Sequence, residues 1–238
     1  MITTTKKQQA FNNAMNKYHD HKHYAYTYKI VSFLNVGMQL YLFTLLFSLH
    51  VTWYGAIGIF LLSYFITDFI NGYVHMYMDN NQKYDSLFGP FIASFHLHHQ
   101  TPNYRDFPIY KIYFNESGSK FWLVPFLMMT IVLSSLSAND YLLLSLILIG
   151  ILSSVAEVSH FLCHNAQSKF VLFLQKTKFL LSMEQHINHH KKDNQSYAFL
   201  NGTSDFLLDK IAKRFYKGYK AYSDLDATTY RGENTGNR

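Results

Sequence analysis

The sequence predicts an all-α integral membrane protein with four transmembrane helices arranged as two hairpins. Its 238 residues are 49% hydrophobic and 18% aromatic but only 15% charged, and the apolar residues are concentrated in a few long runs. A run of about 20 apolar residues can cross the roughly 30 Å core of a bilayer as a helix. The basic residues lie outside these runs and avoid two of the connections between them. Composition and charge distribution together therefore predict a multi-pass helical protein.

Four apolar runs are predicted to span the membrane. The first has no charged side chain apart from a terminal histidine, His50, and would measure roughly 31 Å as a helix. The predicted spans are residues 30–50, 51–79, 121–138 and 141–164. Around them the chain is predicted to divide into a polar cytosolic lead, a membrane domain and a flexible C-terminal tail, at residues 1–29, 30–222 and 223–238.

The positive charges predict the orientation. All 21 Lys and Arg residues lie before residue 30, between Lys83 and Lys120, or from Lys169 onward. With four spans these regions share one side of the membrane, so the positive-inside rule predicts cytosolic N- and C-termini. The formal net charge of +6 is then explained by topology and by contact with lipid headgroups, because no nucleic-acid-binding module is visible.

The cytosolic segments are predicted to include interfacial helices. The stretches "KFVLFLQKTKFLLSMEQHINHH" (169–190) and "DFLLDKIAKRFYKGYKAY" (205–222) each combine apolar and basic positions, which predicts one amphipathic helix for each stretch, lying on the membrane surface. Residues 80–120 form a cytosolic loop between the two hairpins.

Histidines are clustered at four places in the chain. Two clusters have helical i, i+4 spacing at the ends of the second and fourth spans, where both predicted helices emerge on the cytosolic side. The other two clusters lie in cytosolic segments on that same side. The predicted topology therefore brings all four clusters into one layer: His75 with Asp79; His96, His98 and His99; His160 with His164; and His186, His189 and His190.

This number of donors predicts two metal ions. A structural zinc uses four ligands and a catalytic zinc usually three, so eight to ten nitrogen and oxygen donors suit a pair of ions. Imidazole with carboxylate fits iron, copper or zinc, whereas the single cysteine, Cys163, disfavours iron–sulfur chemistry. The sequence has no HExxH motif of a zinc protease. A di-iron site beside hydrocarbon is predicted to oxidise an unactivated C–H bond of a lipid chain. A hydroxylase would use the same ligands, and a non-enzymatic metal-binding or regulatory membrane protein is the alternative from another class.

Polar residues within the spans are predicted to support the ligands. Asp68 and Asn71 lie on the helix face of His75, and Glu157 precedes His160 by three residues. Ligating histidines usually donate their second N–H to such groups. The alternative is that Asp68 and Glu157 pair with a lysine or cap a neighbouring segment.

Five motifs taken in order resemble the lipid desaturase domain family: "DFINGYVHMYMD", "FHLHHQTP", "EVSHFLCH", "FLQKTKFLLSMEQHINHH" and "SYAFLNGTSDFLLDKI". The family includes plasmanylethanolamine desaturase and a plastid desaturase of phosphatidylglycerol acyl chains. The resemblance covers about residues 45–215. It implies a membrane-bound enzyme that uses two iron ions, O2 and external electrons to introduce a double bond into a lipid-attached alkyl or acyl chain.

The resemblance also implies the ligands and partners. The implied ligands are His75, Asp79, His98, His99, His160, His164, His186, His189 and His190. His96 has no counterpart in the family motif and is assigned a supporting role. Asn194 resembles the asparagine-rich run of the acyl-desaturase branch. The sequence shows no haem-binding segment, so a separate cytochrome b5, ferredoxin or reductase is expected to supply electrons. The expected location is the bacterial cytoplasmic membrane, or the endoplasmic reticulum or plastid of a eukaryote.

Overall fold

The computed structural model describes residues 5–99, 107–136, 138–165 and 168–230, and this part of the chain is all helical, which confirms the predicted fold class. The described residues contain eleven α-helices: α1 Lys6–Asp20, α2 Lys22–Leu45, α3 Trp53–Asp79, α4 Gly89–Leu97, α5 Ile109–Glu116, α6 Leu123–Ser135, α7 Asp140–Asn165, α8 Lys169–Lys176, α9 Met183–Lys191, α10 Asp205–Phe215 and α11 Leu225–Thr229.

Three of the described helices are long and apolar enough to cross a membrane. These are α2 with its short continuation (Lys22–Ser48, 27 residues), α3 (27 residues) and α7 (26 residues). Each exceeds the roughly 20 residues that a bilayer core requires. They correspond to the first, second and fourth predicted spans, although α2 begins eight residues earlier than expected.

The third predicted span, residues 121–138, differs from the expectation. Helix α6 has only 13 residues, so it extends roughly 20 Å. It meets the preceding segment, Ile109–Ser119, at a bend of 96°, and the pair counts as a fourth span only if the two pieces are taken together. At this bend Lys120 is buried, and its Nζ lies 2.8 Å from Glu157 Oε1 on α7. A buried ion pair therefore lies at the bend, directly before the apolar run of residues 121–138.

The two helical hairpins turn at the same end of the bundle. The backbone N–H of His50, between α2 and α3, donates to Asp140 Oδ2 at the start of α7 (2.8 Å). The Thr52 hydroxyl lies 3.1 Å from the Tyr141 hydroxyl beside it. The C-terminal ends of α3 and α7, which carry the first and third histidine clusters, therefore lie together at the opposite end.

Helices α3 and α7 pack along their length through small polar residues. Ser63 Oγ lies 3.0 Å from Ser145 Oγ, and Asn71 Nδ2 donates to Ser153 Oγ at 3.2 Å. Small side chains let two helices approach closely within a membrane. This pairing fixes the relative height of the two histidine-bearing helix ends.

The N-terminal lead is more ordered than predicted. Residues 5–20 form α1 with Thr5 as its N-cap, and Phe11 and Met15 are buried against Tyr84 and Ala227. The lysines and amides of this segment conceal the i, i+4 spacing of its apolar residues, which is the signature of a packed amphipathic helix. Residues 1–4 of the predicted lead lie outside the described residues.

The predicted flexible tail also begins too early. Residues Lys220–Asp224 form a π-helical turn that continues into α11, and Ser223, Asp226 and Ala227 are buried. Helix α11 packs against α1 and α4, so a segment with little hydrophobicity of its own is ordered by tertiary contact. The remainder of the predicted tail, residues 231–238, lies outside the described residues.

Each predicted interfacial helix is shorter than expected. The first stretch is divided into α8 and α9, because Lys178 between them adopts a left-handed conformation (φ 59°) that ends a right-handed helix. The second stretch ends its helix at Phe215, and Gly218 then takes φ 99°. The break before α9 separates the last histidine cluster from the apolar segment and turns it toward α3 and α7.

Candidate metal centre

Four structural elements bring the histidines together. The last turn of α3 carries His75 and Asp79, the last turns of α7 carry His160 and His164, and α9 carries the three histidines of the fourth cluster. His98 and His99 follow directly after α4. Because residues i and i+4 share a helix face, each helix directs its pair of side chains to one place.

One set of histidines has ring nitrogens close enough together to coordinate a single metal ion. One nitrogen from each ring lies within 4.8 Å of the corresponding nitrogen of every other ring. We call this set the four-histidine group: His98, His164, His186 and His190. His160 lies beside it, with its Nε2 3.1 Å from His186 Nε2 and 3.2 Å from His98 Nε2.

A second set combines imidazole with a carboxylate. We call it the carboxylate group: His75, Asp79, His99 and His189, whose donor atoms also lie within 4.8 Å of one another. Asp79 Oδ2 lies 3.2 Å from His75 Nε2 and 3.4 Å from His189 Nε2, and Asp79 Oδ1 lies 3.4 Å from His99 Nε2. Asp79 is therefore the centre of this set.

Neighbouring histidines contribute to different groups. His98 belongs to the four-histidine group and His99 to the carboxylate group, and His190 and His189 divide in the same way. The ring centroids of each sequential pair are 6.2 Å and 5.6 Å apart. Two metal ions held by these groups would consequently be neighbours, which suits a two-metal site.

The polar atoms of the two groups fit metal ions better than they fit one another. His75 Nε2 and both Asp79 carboxylate oxygens are buried and make no hydrogen bond to any residue that the structure describes. In the other group His190 Nε2 lies only 2.8 Å from His186 Nε2. Two ring nitrogens at this distance need a proton or a cation between them. Buried polar atoms without partners are strongly unfavourable, and a cation coordinated by them removes that penalty.

Burial keeps most of these imidazoles neutral, the state that binds a metal. Burial, followed by the neighbouring rings, lowers the pKa values of His98 and His186 well below the usual value. It lowers the pKa of His189 to about 4 and that of His190 to about 3. Burial also disfavours the charged form of His99, but the carboxylates of Asp79 and Asp224 outweigh this effect and raise the pKa of His99.

Backbone carbonyls orient two of the rings. His75 Nδ1 donates to the Tyr197 carbonyl at 2.8 Å, and His189 Nδ1 donates to the Gln195 carbonyl at 3.0 Å. A carbonyl only accepts hydrogen bonds, so Nδ1 carries the proton in each ring and Nε2 presents its lone pair to Asp79. This arrangement of ligand and supporting acceptor is common in metal sites.

The predicted supporting residues within the spans contact the scaffold, and Glu157 also approaches a ligand ring. Asp68 accepts hydrogen bonds from Leu200, Asn201, Gly202 and Ser204, so it anchors the loop before α10. Glu157 forms the ion pair with Lys120, and its Oε2 lies 4.0 Å from His160 Nδ1. Asn71 accepts a hydrogen bond from Lys120 Nζ. These contacts match the alternative of lysine pairing and capping.

His96 and Asn194 are also placed by the structure. Both ring nitrogens of His96 face other partners, with Nε2 2.8 Å from the Met78 carbonyl and Nδ1 3.0 Å from the Tyr84 hydroxyl. Neither nitrogen belongs to the two metal-binding groups. Asn194 donates to the Ala212 and Tyr216 carbonyls at the end of α10 and accepts from the Tyr197 hydroxyl. It therefore positions the residue whose carbonyl holds His75.

Sequence reasoning missed several residues of the site. The sequence pattern gives Lys120 only the role of a positive charge that marks the cytosolic side, and it gives Tyr219 and Asp224 no role. Asp224 lies 3.5 Å from His99 Nδ1, and the Tyr219 ring packs at 5.1 Å from the His99 ring. Asp224 follows His99 by 125 residues, so no local spacing could have shown the contact.

A largely apolar cavity of about 840 Å³ borders the centre. Its lining includes His75, His98 and His160, so both metal-binding groups are represented at its wall. Aromatic residues form much of the remaining wall: Phe88, Phe91, Phe95, Phe121, Trp122 and Phe199. The volume lies within the usual range for ligand pockets, and the lining suits a hydrocarbon chain.

Comparison with known proteins identifies one family. The lipid desaturase domain matches residues 64–219, which include all nine predicted ligands and both metal-binding groups. No curated protein and no solved structure matches the chain.

Proposed function

Since the chain belongs to the lipid desaturase domain family, we propose that it is a membrane-bound, O2-dependent desaturase that introduces a double bond into a lipid-attached chain. The substrate would be an alkyl chain, as in a plasmanylethanolamine, or an acyl chain of a phospholipid. The family supports an oxidoreductase, and the remaining detail rests on the site.

One observation carries this proposal: each metal-binding group contributes a histidine to the wall of the apolar cavity. His75 comes from the carboxylate group and His98 from the four-histidine group. A saturated chain has no group for an acid or base to act on, so its oxidation requires that the chain lie against a redox metal. A cavity lined by aromatic side chains binds such a chain by apolar burial and excludes water from it.

The donor set fits iron. Eight donors lie in the two groups and His160 lies beside them, and imidazole with carboxylate is a suitable ligand set for redox-active iron. Two iron ions bound there would supply the activation of O2 that removes hydrogen from an unactivated C–H bond. The overall reaction converts –CH2–CH2–, O2, two electrons and two protons into –CH=CH– and two water molecules.

The residues of the chain prepare this reaction. Phe91, Phe95 and Phe121 line the cavity in which the hydrocarbon would lie. Hydrogen bonds from Nδ1 to carbonyl oxygens hold His75 and His189 with Nε2 facing the centre. Electrons would come from a separate cytochrome b5, ferredoxin or reductase at the cytosolic face, where we place both termini. We propose all nine residues as iron ligands, the ninth being His160.

Lipid mass spectrometry tests the proposal. Cells that express the chain should accumulate a lipid lacking two hydrogens, and His189→Ala should abolish it, because His189 faces Asp79 within the carboxylate group. His50→Ala is the matched control, since His50 is exposed at the opposite end of the bundle and should be replaceable without loss. A product that retains oxygen would identify a hydroxylase instead. Unchanged lipids with metal bound would favour a non-enzymatic metal-binding protein.

A further inference from the structure

The segment Tyr219–Asp224, which we call the C-terminal clasp, contacts three elements that carry ligands. It begins at the last residue matched by the family and otherwise lies beyond it. Its six residues reach the end of α3, the end of α9 and the side chain of His99. Five of its six residues therefore lie outside the matched range, and they contact residues within it.

The clasp satisfies the backbone at the ends of two ligand-bearing helices. The Tyr219 hydroxyl donates to the His189 carbonyl, Lys220 Nζ donates to the His190 carbonyl (2.7 Å), and the Ser223 hydroxyl donates to the Asp79 carbonyl. The last four carbonyls of a helix lack partners within the helix. Asp79 ends α3, and the two histidines lie in the last turn of α9. Each donor therefore fixes a carbonyl that would otherwise remain free.

The clasp also places a carboxylate behind a ligand ring. Asp224 Oδ1 lies 3.5 Å from His99 Nδ1, while His99 Nε2 faces Asp79 Oδ1 at 3.4 Å. Asp224 Oδ1 is buried and makes no hydrogen bond with regular geometry to any described residue, so the ring N–H of His99 is its natural donor. Asp224 Oδ2 lies 3.6 Å from Lys220 Nζ, which faces the carboxylate from within the clasp.

The path into the clasp is fixed by a glycine and an aspartate. Gly218 adopts φ 99°, and a Cβ at this position would lie 2.2 Å from an oxygen of the Asp193 carboxylate. Asp193 Oδ1 accepts from the backbone N–H groups of Tyr219 (3.0 Å) and Lys220 (3.2 Å). Asp193 follows the fourth histidine cluster by three residues, so the chain that leaves α9 itself holds the clasp in place.

We propose that Asp224 is a positioning residue for His99, and that this contact sets the iron affinity of the carboxylate group. A carboxylate at Nδ1 holds the proton on that nitrogen and leaves Nε2 as the ligand atom. The proposal concerns metal loading and goes beyond the proposed function, because it would hold for any activity of the centre.

Anaerobic titration of the purified full-length protein with Fe2+ tests the inference. Asp224→Ala should weaken one of two iron sites by about 10–100-fold, the usual effect of removing an outer partner of a ligating histidine, and leave the other site unchanged. Asp224→Asn keeps an acceptor oxygen and should lose less affinity, and Asp224→Glu should recover part of it. Mössbauer spectra of 57Fe-loaded protein should show one altered iron environment.

The matched control is Asp226→Asn. Asp226 is a buried carboxylate two residues further along that accepts from the Tyr84 hydroxyl and belongs to neither metal-binding group. It should retain both iron affinities. Equal iron binding by the wild type and by Asp224→Ala and Asp224→Asn would overturn the inference, as would equal losses in the Asp224 and Asp226 variants. Because the readout is bound iron, failure to find a desaturated lipid would leave this result intact.

Discussion

The two metal-binding groups use neighbouring histidines but are enclosed differently. In the four-histidine group only His186 is buried, and the other three rings are partly exposed. In the carboxylate group only His99 is not fully buried. The first group is formed mainly by spacing along α7 and α9, whereas the second is surrounded by the loop after α9 and by the C-terminal clasp.

This difference separates two ways of holding a ligand. Each histidine of the carboxylate group has an acceptor at or near Nδ1: the Tyr197 carbonyl, the Gln195 carbonyl or the Asp224 carboxylate. The four-histidine group combines close contacts between rings, as in the 2.8 Å approach of His190 Nε2 to His186 Nε2, with a hydrogen bond from Lys220 Nζ to the His190 carbonyl. The carboxylate group therefore depends, in addition to helix geometry, on supporting acceptors that include a carboxylate far away in the sequence.

The strongest test of this comparison removes the single carboxylate. Asp79→Asn should lower iron affinity of the carboxylate group by more than the roughly 10–100-fold effect of an outer partner, because Asp79 faces three histidines at 3.2–3.4 Å. Desaturation should fall to background while one iron remains in the four-histidine group. Iron content and product formation are measured on the same preparation.

The control for this variant is Asp85→Asn, which changes an exposed carboxylate in the loop after α3. It should leave iron content and product unchanged. If Asp79→Asn kept two tightly bound irons, or lost both together, the separation of the centre into two groups would be wrong.

The ligand spacing was predictable from the sequence, but its support was not. The i, i+4 pairs at His75 and His160 are local patterns, and topology alone predicts that they meet. Lys120 contacts Glu157, 37 residues away, and Asp224 contacts His99, 125 residues away. A helical repeat in the sequence cannot predict contacts over such distances. The bend before α6 is likewise not visible in the sequence, because Lys120, the residue that precedes the apolar run, pairs with another helix.

The ion pair beside His160 is expected to affect the stability of the protein rather than its iron affinity. Lys120 and Glu157 are both buried, and Glu157 lies one turn before His160. Lys120→Met would leave a buried carboxylate without its partner, which should destabilise the protein by about 3–5 kcal/mol. Thermal unfolding in detergent measures the loss. The double variant Lys120→Met, Glu157→Gln should recover much of it, and an equally unstable double variant would show that the pair acts through packing alone.

His96 provides the smallest and most specific test, because it stands two residues from His98 yet belongs to neither group. Burial lowers its pKa from 6.5 to about 4, although the Met78 carbonyl and the Asp79 and Asp224 carboxylates act in the opposite direction, and the Tyr84 hydroxyl faces Nδ1. The unfolded chain then binds the extra proton first as pH falls. Stability should therefore decrease from pH 6.5 to about 4, by at most about 1.4 kcal/mol per pH unit for this ring.

His96→Gln isolates that contribution, because glutamine offers polar atoms but does not titrate in this range. Unfolding of the metal-free variant should depend less steeply on pH than that of the wild type, while iron binding at pH 7 should match the wild type at both groups. Identical pH profiles would mean that folding does not lower the pKa of His96. Loss of an iron would make His96 part of the centre. His96 would then count among the ligands together with His98, and not among the supporting residues.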